Sequence, residues 1–220
     1  FRRVLFRSAT HKVEKALRRL ERLAFEGIVS VCPYYNRPSQ DGLVAHFRRI
    51  AGATDRQVLI YNIPYRTAVN LTNESLLELA QVPNIVGVKD SSADIVRPLH
   101  THAACGGGFC QLSGEDANIV AFLAHGGHGC ISVTANVAPR LCAQLHRAWR
   151  DGHPDEALAV HRRLLPLHKA LFCETSPAPA KYALSRLGRS SAEVRLPLVE
   201  LSERGRAEID AALVAVGLAN

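Results

Sequence analysis

The chain has 220 residues, 47% of them hydrophobic and 21% charged, with a formal net charge of +7. That length suits one domain with a sizeable core, or at most two small ones. No apolar run approaches the length of a membrane span, and the start lacks a long apolar segment with a small-residue cleavage site, so membrane-embedded and secretory classes are set aside.

In chain order, the first eight residues, FRRVLFRS, read as the in-frame translation of a common sequencing-library adapter, and we keep them out of the fold reasoning as an expected artefact. They hold Arg2, Arg3 and Arg7, so the remainder has a net charge of 7 − 3 = +4. Those remaining charges alternate in sign along helical faces, as in EKALRRLERL, so nucleic acid is not an expected partner. The expectation that follows is a biological sequence starting near Ala9, in mid-gene, as a piece of a longer protein.

Residues 10–25 have helical periodicity, with Val13, Leu17, Leu20 and Leu23 near one stripe. GIVSVCP (27–33) reads as a short buried strand closed by proline, and residues 39–54 as a helix capped by Ser39. QVLIYNIP (57–64) is the next strand, and TNESLLELAQ (72–81) a helix with Glu74 in its first turn. NIVGVKDSS (84–92) is the third strand. A helix over 93–104, a strand and loop over 108–116, a helix over 116–126 and a strand over 128–134 follow. Helical patterns then cover 136–150, 154–172, 175–187 and 203–217, with one long irregular connection over 187–201. Five short apolar strands alternating with helices indicate parallel βαβ units. No GxGxxG follows the first strand, which argues against a dinucleotide-binding sheet. The expected fold is therefore α/β: a (β/α)8 TIM barrel lacking roughly the first three βα units, with a C-terminal helical extension. The expected domains are a partial barrel over 9–150 and a helical region over 151–220.

Catalytic groups of such barrels lie at the C-terminal ends of the strands. Those ends give Tyr34, Tyr35 and Asn36; then Tyr61, Asn62, Arg66 and Thr67; then Lys89, Asp90 and Ser91; then Ser113, Gly114 and Glu115; then Ile131 to Thr134. Only five lysines stand against 22 arginines, and Lys89 alone ends a buried strand. A desolvated lysine can shed its proton and attack a ketone to form an imine, which arginine cannot do. The plain alternative is a lysine reaching out of the barrel mouth to pair with Asp90 or Glu115. Phenols at neighbouring strand ends, Tyr61 and Tyr35, can relay protons. The fork of Arg66 suits a carboxylate, and Gly114 permits close approach of backbone to substrate. HGGHGC (125–130) lacks a carboxylate at ligand spacing, and no metal or other cofactor is expected. The six cysteines form no CxxC pair and read as small buried hydrophobes of a reducing cytosol.

Taken together, PYYNRPSQDGL, YNIPYRTAVNLT, VGVKDSS, LSGED, GGHGCISVTANVAP and RLPLVEL resemble the dihydrodipicolinate synthase family, in order and over nearly the whole chain. The resemblance implies a cytoplasmic lyase of lysine biosynthesis by the diaminopimelate route. Lys89 would bond covalently to pyruvate, and the enamine would condense with L-aspartate 4-semialdehyde. Tyr61 matches the proton-relay tyrosine and Tyr35 the tyrosine lent across a dimer interface. Arg66 matches the arginine holding the semialdehyde carboxylate, and Ile131 the residue whose backbone carbonyl faces the lysine. Gly114 and Asn136 would contact substrate, and Tyr34 lines the family's lysine-inhibition site. Implied partners are the two substrates and further copies of the chain, as a dimer of dimers. An N-acetylneuraminate lyase-like aldolase is the nearer alternative, though that group lacks the RT after YN.P; an inactive fragment is the other. Three departures stand out. No GTTGE segment with its relay threonine is present. Ala68 replaces the glycine usual after RT. Lys12 stands where lysine-sensitive members have glutamate, a change expected to repel the effector's ammonium group. With three units missing, the isolated chain is expected to be poorly stable and weakly active.

Overall fold

The computed structural model describes residues 4, 5, 8–20 and 22–219. The chain divides into two compact units, Phe1–Ile131 and Ser132–Asn220. The expected division lay after residue 150; here the helix preceding that point falls with the C-terminal helices.

The first unit alternates strands β1 (Val4–Leu5), β2 (Gly27–Val31), β3 (Gln57–Asn62), β4 (Ile85–Asp90), β5 (Cys110–Ser113) and β6 (Gly129–Cys130) with helices α1 (Thr10–Leu20), α2 (Gln40–Ala51), α3 (Pro64–Thr67), α4 (Asn73–Leu79), α5 (Arg97–Cys105) and α6 (Ile119–Ala124). All six strands form one parallel sheet in sequence order. The expected count of five is therefore one short: Val4 and Leu5 pair with Val29 and Ser30, inside the octapeptide that the sequence reading set aside.

The sheet has two unequal faces. On one, Ile28, Val58, Ile60, Ile85 and Val88 pack against Val13, Leu17, Leu43, Phe47, Ile50, Leu76 and Leu79 of α1, α2 and α4. On the other, Val29, Val31, Leu59, Tyr61 and Ile63 form a small cluster with Leu112. Residue alternation along each strand produces the two sets. In β4 the alternation is reset once. Val58 pairs with Ile85 but Leu59 with Gly87, so the β3–β4 register shifts by a residue at Val86. Gly87 is required there, because a Cβ would run into the Cys110 carbonyl.

Helix starts follow their caps. The Ser39 hydroxyl accepts from the Gly42 N–H at 3.2 Å, and the Thr72 hydroxyl from the Ser75 N–H at 3.3 Å. Helix α1 ends at Leu20, so Leu23 is exposed rather than part of its buried stripe. Helix α5 starts at Arg97 rather than 93, which places Pro98 in the first turn, where a missing N–H costs nothing.

The second unit holds α7 (Pro139–Arg150), α8 (Pro154–Ala170), α9 (Ala178–Arg186) and α10 (Glu203–Ala215) around Leu145, Leu164, Leu167, Ile209 and Leu213. Prolines stand at three of these starts: Asn136, expected to open α7, ends a separate 3-10 turn (Thr134–Asn136) before Pro139, α8 begins at Pro154, and α9 begins after Pro177. No helix among the described residues is long and apolar enough to cross a membrane.

Candidate active site

The register places Val31, Tyr61, Lys89 and Leu112 side by side across β2 to β5. All four therefore lie on the face away from the helices. The Lys89 Nζ stands 3.9 Å from the centre of the Tyr61 ring. That distance fits a cation on a π face. Tyr61 itself is 9% exposed. Gly114 closes the other side. A Cβ there would collide with the Ser91 hydroxyl and lie 3.1 Å from the Lys89 Cε. The glycine is thus what leaves room for the lysine stem. The Gly114 N–H donates to the Asp90 carbonyl at 2.7 Å, which holds the turn in place.

The expected alternative, an ion pair from Lys89 to Asp90 or Glu115, does not occur among the described residues. Asp90 points to the opposite face and faces Arg97 instead, with the Arg97 Nε 3.7 Å from its Oδ1. The Glu115 carboxyl titrates above its ordinary range because it is buried and lies near Asp116 and Asp90, while Lys89 opposes the rise. Burial, reinforced by the Asp90 charge, pushes the Cys32 thiol up to about 12. This cysteine is buried as expected; the other five are only partly so.

The remaining predicted residues are spread around this centre. Arg66 lies in α3, directly after β3, with an exposed side chain. Ala68 closes that turn at φ 58°, ψ 16°, a left-handed conformation that favours glycine. Tyr34 and Tyr35 lie on the loop after β2; Tyr35 is 93% exposed at φ 71°. No hydrogen bond or ion pair joins Tyr35 or Arg66 to Lys89 among the described residues. Ile131 follows β6, and its N–H donates to the Ser113 carbonyl at 2.9 Å. Asn136 lies in the second unit, where its amide donates to the Val133 carbonyl at 3.0 Å. The histidines of HGGHGC bond to backbone: the His128 Nδ1 accepts from the Gln111 N–H at 3.1 Å, and the His125 Nδ1 lies 2.5 Å from the Ile95 carbonyl.

Behind the lysine lies a buried polar group that no local sequence motif announces. Asn62, Asp90 and Arg97 are each buried and bonded together. Two polar residues directly following Tyr61 and Lys89 were the available signal, since alternation turns them to the other face.

The sequence profile of the dihydrodipicolinate synthetase family matches residues 8–216. The chain belongs to that family. It is 52% identical over 211 residues to the 4-hydroxy-tetrahydrodipicolinate synthase of Acidiphilium cryptum, covering 96% of this chain and 72% of the relative. It is 51% identical over 196 residues to the enzyme of that name from Gluconacetobacter diazotrophicus, covering 89% of this chain and 66% of the relative. The crystal structure of dihydrodipicolinate synthase from Thermotoga maritima superposes with a TM-score of 0.94 at 37% identity, covering 98% of this chain and 74% of that one. The α/β barrel expected from the strand pattern is therefore the fold of the family, and the chain spans roughly two thirds to three quarters of these relatives.

Proposed function

We propose that the chain carries the lyase activity for which its relatives are named, joining pyruvate and L-aspartate 4-semialdehyde into 4-hydroxy-tetrahydrodipicolinate in lysine biosynthesis. One observation supports this most: Lys89 stands on the inner face, with no carboxylate of the described residues paired to it, its amine against Tyr61 and its stem against Gly114.

The deprotonated Lys89 amine attacks the pyruvate ketone carbon. The carbinolamine loses water to give the imine, and loss of a methyl proton gives the enamine. The enamine carbon then attacks the aldehyde, and the amino group of the semialdehyde attacks the imine carbon, closing the ring and releasing the Lys89 amine. Tyr61 moves protons to and from the oxygen atoms of these intermediates. Because the amine rests on the ring face, the reacting oxygen has to sit between amine and hydroxyl for that relay to operate. Arg66 holds the semialdehyde carboxylate with its fork. Ile131 contributes its backbone carbonyl near the amine, Gly114 borders the substrates, and Tyr35 serves a neighbouring copy of the chain, which its exposure permits. No cofactor takes part beyond the covalent imine.

Pyruvate with borohydride should fix the reduced adduct on Lys89, seen as a mass shift on its peptide. An unmodified peptide after saturating pyruvate would rule the imine out. Turnover with N-acetylmannosamine and pyruvate, and none with aspartate semialdehyde, would move the chain to the neuraminate lyases.

A further inference from the structure

Tyr61 and Lys89 are register partners, and so are the residues that follow them, Asn62 and Asp90. The first pair faces the proposed reaction; the second faces the opposite side of the sheet. The Asn62 amide donates to Asp90 Oδ1 at 2.7 Å and to Asn70 Oδ1 at 2.8 Å, and its own oxygen accepts from the Leu71 N–H at 3.0 Å. Arg97 comes from the start of α5. It donates to the Leu71 carbonyl at 2.8 Å and to Asn70 Oδ1 at 3.3 Å, while its Nε faces Asp90. The second Asp90 oxygen accepts from the Ser92 hydroxyl at 2.5 Å. Asn62, Asp90, Arg97 and Asn70 thus close a ring of side chains. The ring joins the ends of β3 and β4 to the segment that returns from the Arg66 turn.

We propose that Asp90 is a positioning residue for the reaction, holding through Asn62 the strand step that sets the Lys89 amine against Tyr61, and through Arg97 the loop that presents Arg66. The argument rests on the imine reading above. Three features support it. Asp90 and Arg97 are both buried, at 5% exposure each, so their attraction is little screened. Asn62 uses both N–H donors and its oxygen within the ring, so rotation of its amide would break three bonds at once. A single backbone step separates Asn62 from Tyr61 and Asp90 from Lys89, so a shift of these two ring members is transmitted to the amine. A displacement of about 1 Å at a reacting group is enough to slow a reaction about a hundredfold.

The test compares the full chain with Asp90→Asn and with the double variant Asp90→Asn/Arg97→Gln. The double variant removes the unpaired buried guanidinium that the single change leaves behind. The readouts are the rate constant of borohydride-trapped adduct formation at saturating pyruvate, the pyruvate concentration giving half that rate, and the thermal midpoint. The expected result is a trapping rate at least tenfold lower in both variants. The half-saturating concentration should stay within about twofold and the midpoint of the double variant near that of the parent. A double variant that traps pyruvate at the parental rate overturns the proposal. So does one whose rate falls only in proportion to its unfolded fraction. A parent chain that traps no pyruvate removes the imine reading itself, and the positioning role with it.

Discussion

Among the described residues, the helix-facing side of the sheet buries residues of β2, β3 and β4 together with three helices, whereas the opposite side buries only Val29, Val31, Leu59, Tyr61 and Ile63. The sequence writes both sides with the same apolar residues. What differs is the covering: α1, α2 and α4 close one side, while the other holds a thin layer and the amine of Lys89. Burial is thus concentrated on one face and the proposed chemistry on the other, so each is expected to be altered with limited damage to its counterpart.

That separation can be broken or sharpened by measurement. The largest effect is expected from Phe47→Ala on the helix side, which should destabilise by about 3–5 kcal/mol in denaturant titration, whereas Val31→Ala on the inner face should cost about 2 kcal/mol. Equal losses would mean that the two faces support the fold alike. Next comes pH. His46 is buried on the helix side, its Nδ1 2.8 Å from the Thr10 hydroxyl, and burial pulls its pKa down to about 4. The unfolded chain, with an ordinary histidine near 6.5, takes up the proton first. Stability is therefore present above that value and is lost as pH falls from about 6.5 to about 4, by up to roughly 3 kcal/mol. His46→Gln should flatten the thermal midpoint over that range; an unchanged slope would assign the acid sensitivity to other groups. Lys89→Met should abolish pyruvate trapping while moving stability by less than about 1 kcal/mol. A severe loss of stability would show that the amine is structural. The smallest effect is at Ala68, whose left-handed conformation glycine adopts freely. Ala68→Gly should raise stability by roughly 0.5–1 kcal/mol, read as a small increase in thermal midpoint.

The strand ends were legible because apolar runs stop at polar residues, and the lysine stood out because arginine serves nearly everywhere else. The buried ring of Asn62, Asp90, Arg97 and Asn70 was not legible, since 35 positions separate its ends (97 − 62 = 35) and none of its members forms a local motif. Nor was Val4–Leu5, where an origin in adapter-like sequence says nothing about whether two apolar residues can pair with an open strand edge. Helix starts were misjudged mainly beside proline, at Pro98, Pro139 and Pro177, where periodicity extends backwards past the residue that sets the first turn.

The sequence by itself determined the alternation of strands and helices, the strand-end residues and the family, because each is written in local pattern or in residues shared with relatives. It did not determine which face Lys89 shows. Ile85, Val86 and Val88 are apolar on both sides of the strand, so β4 has no pattern of its own to choose with. The one-residue register shift at Val86, possible because Gly87 can lie against the Cys110 backbone, is what pairs Lys89 with Tyr61 rather than with Asn62. That choice is made between strands, by packing and hydrogen bonding, and only the tertiary structure contains it.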